Sequence, residues 1–263
     1  MKKDRIARKA RRRTLSGCIV LGLCTVLLAG LTIPAMAADS GAPAVNATAS
    51  APEGYRKANY KVVDDTLEYY RDKKPSKDVI SRDEAAERGA QMLWELFGAD
   101  LEGKTIYMGY NPENESYPQP TWSGDVRDGS SRTPQDDCIT FSIDAVTGER
   151  LNAAMGRTIP AKVSLGLDSK LAKNPGKYLD LAEKFAKDHS LLGESLDSAK
   201  YNCQGYSGND PDISIDAVGE NGAIANLVFS RYDQTLKAVS YPKYEQISRE
   251  AHAKYLRSLG IEE

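Results

Sequence analysis

Residues 86–90 read AERGA, and residues 182–186 read AEKFA. These two segments open longer blocks of the chain that resemble each other in the same order. Two further matches follow them: Met108–Tyr110 with Gln204–Tyr206, and Phe141–Ser142 with Phe229–Ser230. We therefore expect one unit, a helix followed by strands, to occur twice in the chain. This repeat determines the expected fold class and domain count.

Both copies of the unit begin with the pattern of an amphipathic helix. In the first copy, Ser81 and Glu84 form a capping box, because the serine side chain can accept a hydrogen bond from the Glu84 backbone N–H. Gly98 is a natural end for this helix. In the second copy, Asn174 can cap the helix and Pro175 suits its first position.

Strand patterns follow each helix. The first copy has them at 105–110, around Trp122, at 138–144 and at 150–155; the second copy has them at 200–206, 213–218 and 225–232. Flanking helices are predicted over Val62–Arg71 and Tyr244–Leu259. One helix laid on an antiparallel sheet, present twice, indicates an α+β fold of two tandem units.

The N-terminus has the pattern of a secretory signal. Basic residues precede the uncharged, mostly apolar run 17–34, and Ala35-Met36-Ala37 is a small-x-small cleavage site. A retained signal anchor is the alternative, because a run of about 18 apolar residues can just span a bilayer. We predict four parts: a signal peptide or signal anchor at 1–37, a flexible linker at 38–54, a first unit with a leading helix at 55–160, and a second unit with a C-terminal helix at 161–263.

Charge narrows the range of partners. Removing residues 1–37 takes away eight basic residues and one acidic residue, which leaves a net charge of about −9. An acidic surface argues against nucleic acid and against anionic membrane surfaces as partners. We therefore expect a secreted or extracytoplasmic envelope protein that meets a membrane only through an uncleaved N-terminal segment.

Three pieces of the first copy resemble the PepSY domain family: a helix of the form Ser-x-x-Glu-Ala-x-x-x-Ala, a strand that bears a tryptophan, and a strand that ends in Asp-Ala-x-Thr-Gly. The residues concerned are Ser81, Glu84, Ala85, Trp122 and Asp144–Gly148, and Gly89 departs from the pattern. The resemblance covers 78–155 well and 174–241 more loosely. The second copy is divergent, because its turn at 233–236 reads DQTL and lacks the glycine.

The resemblance implies a cystatin-like domain, a helix packed on a small antiparallel sheet, in secreted or envelope proteins. It also implies the binding or inhibition of peptidases, and it carries no set of catalytic residues. The residues themselves agree with a protein that is not an enzyme. His189 and His252 stand in no zinc-binding pattern, and no nucleophile elbow or phosphate-binding glycine loop is present. We therefore predict no cofactor and no metal site.

Aromatic residues mark the best candidate binding region. Tyr110, Tyr117 and Trp122 lie in or beside segment 111–137, which is rich in proline, glycine and acidic residues. Tyrosine and tryptophan suit interfaces because they combine a large apolar area with a polar group. A solvated loop without a role is the alternative interpretation.

Cys138 and Cys203 remain after signal cleavage, so a disulfide that joins the two copies is a candidate. Strand alternation argues against it, because Cys138 points away from the apolar face of Ile139 and Phe141, whereas Cys203 shares a face with Tyr201. Two unpaired thiols are the alternative.

These observations favour a secreted, non-enzymatic module that binds or regulates an extracytoplasmic protein partner. The resemblance suggests a peptidase or a cell-wall hydrolase as that partner, contacted through an exposed sheet edge or through segment 111–137. The alternative is a small-ligand-binding or structural module of the envelope. A hydrolase with an unrecognised site is a third hypothesis, and it would need a polar residue whose replacement abolishes activity but not folding.

Overall fold

A computed structural model describes residues 51–114, 117–127, 138–159, 166–193, 195–205 and 210–261. The predicted signal segment 1–37 and most of the linker 38–54 lie outside the described residues. Within the described ranges, no helix is both long enough and apolar enough to cross a membrane.

The described chain contains nine strands, four α-helices and one 3₁₀ helix. The strands are β1 (Lys61–Asp64), β2 (Thr105–Asn111), β3 (Thr121–Arg127), β4 (Ile139–Asp144), β5 (Arg150–Met155), β6 (Leu196–Gly205), β7 (Asp212–Gly219), β8 (Ile224–Ser230) and β9 (Leu236–Ser240). The helices are α1 (Arg82–Phe97), α2 (Ser169–Lys173), α3 (Gly176–Asp188) and α4 (Pro242–Ser258), and the 3₁₀ helix is Glu68–Tyr70.

All nine strands form one sheet in the order β1-β2-β3-β4-β5-β9-β8-β7-β6. Neighbouring strands are antiparallel except β1 and β2, which run parallel. The prediction of two separate helix-on-sheet units is therefore wrong. The two copies of the repeat lie in one mixed sheet because β5 pairs directly with β9.

The β5–β9 pair relates the two halves of the sheet by an approximate two-fold axis. Ala153 lies opposite Val239, and the flanking pairs are Asn152 with Ser240 and Ala154 with Ala238. The pairs β4–β5 and β8–β9 share one register, and each is interrupted by an irregularity at the same point, after Ser142 and after Val228. We call β1–β5 with α1 the first half, and α2–α4 with β6–β9 the second half.

The helices α1 and α3 pack on the same face of the sheet. Phe141 of β4 faces α1, and the register across the sheet aligns it with Ala153, Val239 and Leu227. Phe229, two residues beyond Leu227 along β8, contacts Tyr178 of α3, with the ring centroids 6.3 Å apart. This face carries the buried apolar core of both halves.

Several local predictions are confirmed and two are corrected. Pro175 is the N-cap of α3 and not its first residue, and Asn174 is instead the C-cap of α2. The Ser81 side chain accepts a hydrogen bond from the Glu84 N–H at 3.1 Å, and Gly98 ends α1 with a φ of 62°. The helix expected over Val62–Arg71 is instead strand β1 followed by the short 3₁₀ helix. Val62 and Val63 are β-branched, and β1 gains backbone hydrogen bonds from pairing with β2.

Close packing around Phe141 explains two glycines. A Cβ atom on Gly89 of α1 would lie 2.0 Å from the Phe141 ring, and one on Gly124 of β3 would lie 2.2 Å from it. Both distances are far below van der Waals contact, so the ring occupies the space that these two side chains would need. The glycine at the position where the PepSY-like pattern expects alanine is therefore a packing requirement.

We expect Gly89→Ala to destabilise the protein by about 1–3 kcal/mol, the usual cost of overpacking, although alanine is the better helix former. Gly176→Ala is the matched control, because its Cβ would meet only the Asn174 side chain at 3.7 Å. This control is expected to be neutral or slightly stabilising in urea unfolding followed by circular dichroism. Equal stability of the two variants would contradict the packing argument.

Candidate functional site

Two of the three aromatic residues predicted to bind a partner lie in the core. Tyr110 and Trp122 are 7% and 6% exposed, and their ring centroids are 5.2 Å apart. The Trp122 indole N–H donates to the Ile80 carbonyl at 3.0 Å, which ties β3 to the residue before the N-cap of α1. Neither side chain offers contact area at the surface of this structure.

Tyr117 lies on the other side of the sheet, near the start of α4. Its ring centroid is 6.2 Å from that of Tyr244. Its hydroxyl is buried and has no hydrogen-bond partner among the described residues. Burial raises the pKa of Tyr117, and Tyr244 and Asp144 add to the shift. The predicted segment 111–137 thus contacts α4 through Tyr117, while its residues 115–116 and 128–137 lie outside the described residues.

The strand order does not bring Cys138 and Cys203 together. Cys138 immediately precedes β4, Cys203 lies on β6, and β5, β9, β8 and β7 lie between those two strands. Neighbouring strands are about 4.8 Å apart, so five spacings exceed the Cα separation of about 4.4–6.8 Å that a disulfide needs. A bond between these two residues would require a different arrangement of the sheet.

The sheet surface opposite α1 and α3 carries hydroxyl, amide and carboxylate groups. In the first half this face includes the polar residues Asn111, Thr121, Ser123, Asp125, Thr140 and Ser142, together with Tyr107 and Arg127. The Asn111 side-chain amide donates to the Ser123 hydroxyl at 3.0 Å. In the second half, the Asn226 amide donates to Asp216 Oδ1 and to Ser214 Oγ, each at 2.7 Å. These contacts form cross-strand polar ladders instead of a second apolar core.

Helix α4 lies on the polar face of the second half and contacts β8 and β5. Ile247 is its one buried residue within the described chain. Arg249 binds Asp216 Oδ2 at 2.9 Å and Glu245 at 3.0 Å. Burial raises the pKa of Glu245, Arg249 opposes that shift, and the Asp216 carboxylate adds to it. Polar and ionic contacts therefore make up much of the attachment of this helix.

Each half also supplies a cation to a buried carboxylate of the other half. Lys243 Nζ, at the start of α4, lies 2.9 Å from Asp144 Oδ2 at the end of β4. Arg157, which follows β5, binds Asp210 at 2.8 Å and Asp233 at 2.6 Å. Arg157 holds the pKa of Asp233 well below its usual range. Because Arg157 and Lys243 follow equivalent strands, the two-fold relation of the halves extends to these ion pairs.

Three exposed apolar side chains lie close together in the sequence, on the edge strand β1 and in the segment that follows it. Val63, Leu67 and Tyr69 are 40%, 55% and 81% exposed, and the Tyr69 and Tyr70 ring centroids are 5.1 Å apart. We call Val63, Leu67 and Tyr69 the edge patch. Exposed apolar area at the edge of a sheet is a candidate interaction surface where the side chains form one contiguous patch.

The described part of the chain has no deep pocket at the sites found and no candidate metal site. A shallow depression lies beside Trp94, lined among others by Arg56, Asp100 and Glu102. No group of three or more His, Cys, Asp or Glu side chains in the described ranges could hold a metal ion. His189 ends α3 and His252 lies on α4, so the two histidines belong to different elements.

Comparison with known proteins gives little further information. No family model matches the chain, and no curated protein matches it. One solved structure, the Bacillus megaterium YpeB C-terminal domain, is similar with a TM-score of 0.37 and 18% identity, over 64% of this chain and 65% of that chain. The chain therefore spans just under two thirds of that domain, and a likeness of this size establishes neither fold nor function.

The sequence pattern missed the ion pairs and the docking of α4. Asp144 was noticed as a turn residue, and its Oδ1 does accept the N–H groups of Val146 and Thr147, each at 2.8 Å. Its second partner, Lys243, is remote in sequence and stands in no motif. A correct alignment of the two copies would have pointed to Lys243, because the strand register makes Lys243 equivalent to Arg157 of the first half.

We expect Lys243→Ala to destabilise the protein by about 1–3 kcal/mol, because Asp144 is 1% exposed and would lose a charged partner. Lys184→Ala is the control, because Lys184 pairs with Asp188 at the surface of α3 and should cost about 0–0.5 kcal/mol.

The pH dependence of this loss follows from Asp144. Burial alone would raise the pKa of Asp144, but the Thr147 N–H and the Lys243 ammonium lower it overall. The contribution of Asp144 to the free energy of unfolding is therefore present above the pKa of aspartate in the unfolded chain, about 3.9, and is lost as the pH falls below that value. Urea unfolding at pH values from 7 down to 3 should show that the difference in unfolding free energy between Lys243→Ala and the unaltered protein becomes smaller as the pH falls. A difference independent of pH would contradict this pairing.

Proposed function

We propose that this protein is a secreted, non-enzymatic binding module that regulates an extracytoplasmic protein, with a peptidase or a cell-wall hydrolase as the preferred partner. The observation that carries the proposal is the edge patch beside β1. The resemblance of the first half to PepSY domains supports the choice of partner, and the basic and apolar N-terminal segment supports the proposed location.

The edge patch suits a protein partner for two reasons. Strand β1 ends the sheet, and an edge strand presents backbone N–H and C=O groups that an added strand can pair with. Leu67 and Tyr69 then supply exposed apolar area next to that edge, and tyrosine is enriched among the residues that dominate interface energies. A peptide strand that pairs with β1 could bury both side chains.

Affinity capture tests this proposal. Residues 38–263 are immobilised, and the envelope and secreted fractions of the source cells are passed over them. We expect an extracytoplasmic hydrolase to be retained and its activity to change when the free protein is added. Leu67→Asp with Tyr69→Asp should abolish retention, because two charges would be buried in the interface.

Tyr232→Asp is the matched control, because Tyr232 is 50% exposed in the β8–β9 turn of the second half. This variant should retain the partner as the unaltered protein does. An empty column would contradict a protein partner and would favour the small-ligand or scaffold alternative. Equal retention by both variants would contradict the edge patch as the contact surface.

A further inference from the structure

The two halves differ at the outer edges of the sheet. Strands β2–β5 of the first half correspond to β6–β9 of the second half, because the pairs β4–β5 and β8–β9 share one register. In the first half, β1 pairs in parallel with the outer side of β2. In the second half, β6 ends the sheet, and no described strand pairs with its outer side.

The register identifies the part of β6 that corresponds to the contact of β1 on β2. That contact covers residues 105–108. When the paired residues are followed across β3, β4, β8 and β7, Ile106 is equivalent to Ala199 and Met108 is equivalent to Tyr201. Residues 198–201 of β6 therefore match the stretch of β2 on which β1 lies.

The hydrogen bonds of β1 show which backbone groups of β6 face outward. The Asp65 N–H, just after β1, donates to the Met108 carbonyl at 2.8 Å. Because alternate residues of a strand direct their backbone groups to opposite neighbours, Ile106 and Met108 both face β1. Their equivalents, Ala199 and Tyr201, therefore direct N–H and C=O groups to the outer edge of β6. These groups have no backbone partner among the described residues.

Beyond this stretch, the chain meets the two edges at equivalent points. In the first half, the Tyr110 N–H donates to the hydroxyl of Thr66, which follows β1, at 3.1 Å. The register makes Tyr110 equivalent to Gln204, whose side-chain amide forms two hydrogen bonds with the backbone of Asp168, at 2.9 and 3.0 Å. Among the described residues, the approach to this point runs along an edge strand in the first half alone.

We propose that the outer edge of β6, over residues 198–201, accepts a parallel β-strand of a partner protein, with an apolar residue opposite Ala199 and an acidic residue opposite Lys200. The internal template is β1, which pairs four residues with β2 in this way. This inference rests on the proposed protein-binding function in taking a protein as the partner. It adds a second strand-accepting edge, at the other end of the sheet from β1.

The two faces of β6 determine the side chains expected on the partner strand. Ala199 and Tyr201 are half-buried and pack against the core on the face covered by α3, which lies over β6 and β7. An apolar residue added beside them would bury further apolar area. Lys200 points to the opposite face and is exposed, and Asp216, directly across from it on β7, binds Arg249. A carboxylate opposite Lys200 on the added strand would form a favourable cross-strand pair.

Charge favours the strand of a partner over a second copy of this chain. A lysine in an edge strand disfavours pairing between identical edges. If two β6 strands paired in the register centred on Lys200, their two ammonium groups would lie directly opposite each other, which is unfavourable. A strand that carries a carboxylate at that position replaces this repulsion with an attraction.

The probe is a peptide with the sequence of residues 58–66 that carries Val63→Glu, because Val63 of β1 has the position that corresponds to Lys200 on β6. It is added to isotopically labelled protein comprising residues 38–263. We expect the amide signals of Ala199 and Tyr201 to shift and their N–H groups to become protected from hydrogen exchange. The absence of any change would overturn the proposal.

The position and direction of the bound probe are measured in the same experiment. Changes confined to Val62 and Asp64, whose backbone groups face the outer edge of β1, would place the peptide at the other edge and overturn the proposal. A nitroxide at the amino end of the probe should broaden the Ser198 signal more than the Gln204 signal, because the strands are expected to be parallel. The reverse order would contradict β1 as the template.

Backbone variants test the strand pairing itself. Ala199→Pro should abolish binding, because it removes an N–H group that faces outward and leaves the hydrogen bonds between β6 and β7 in place. The probe provides a second test that does not depend on folding of a variant. N-methylation at its residue 63, whose N–H would donate to the Ala199 carbonyl, should abolish binding, whereas N-methylation at residue 62, whose N–H points away, should not.

A charge exchange tests the acidic position. Lys200→Glu in the protein should weaken binding of the probe about two- to fivefold, the size of one cross-strand charge pair. A probe that carries Val63→Lys should restore the affinity of this variant. Lys254→Glu, an exposed residue of α4, is the control and should leave binding unaltered. Equal binding of both probes by the unaltered protein would contradict the acidic position.

The two proposals fail separately. Leu67→Asp with Tyr69→Asp, which removes the edge patch, should not alter binding of the probe at β6. A protein that retains its hydrolase partner but does not bind the probe would contradict the β6 edge alone. A protein that binds the probe but retains no partner would contradict the proposed function at the edge patch. A dimer in sedimentation that Ala199→Pro converts to a monomer would assign the β6 edge to a second copy and overturn this inference.

Discussion

The pairing of β5 with β9 is the constraint on which the rest of this structure depends. It merges two four-stranded antiparallel segments into a continuous sheet, and it places Ala153 and Val239, both buried, on a two-fold axis. Because the flanking pairs are symmetric about this point, α1 and α3 fall on one face and their cores join through the strands between them. The arrangement is that of an isologous dimer interface within one chain.

The same axis accounts for the crossed ion pairs. The residues that follow β5 and β9 leave the sheet at equivalent points, and each carries a cation, Arg157 or Lys243, to a buried carboxylate of the other half. The symmetry ends where the chain continues, since α4 returns over the second half and no described helix covers the first. That difference leaves the polar face of the second half covered by α4 and its equivalent in the first half without a helix among the described residues.

Local signals in the sequence predicted most elements but not their assembly. The capping box at Ser81 and the alternating strands were correctly identified, because these depend on neighbouring residues. Strand β9 was missed: it is five residues long and reads LKAVS, too short for a clear alternation. Because β9 is the strand that pairs with β5, the sequence pattern gave no reason to expect the two copies to share one sheet. The sequence repeat also matched Phe229 with Phe141, whereas the strand register makes Phe229 equivalent to Ile143, two residues later. A shift of two residues along a strand leaves each side chain on the same face of the sheet, so the alternation pattern could not reveal this error.

Disulfide trapping at the junction tests the central claim most directly. Directly opposite residues on antiparallel strands have Cα atoms about 4.5–5.5 Å apart, within reach of a disulfide, and diagonal neighbours are about 7–8 Å apart. In a chain whose other cysteines are replaced by serine, Ala154→Cys with Ala238→Cys should oxidise rapidly within one molecule. The diagonal pair Ala154→Cys with Ser240→Cys should react far more slowly. A failure of the opposite pair to bond, or bonding only between molecules, would show that β5 and β9 are not paired and that the halves are separate units.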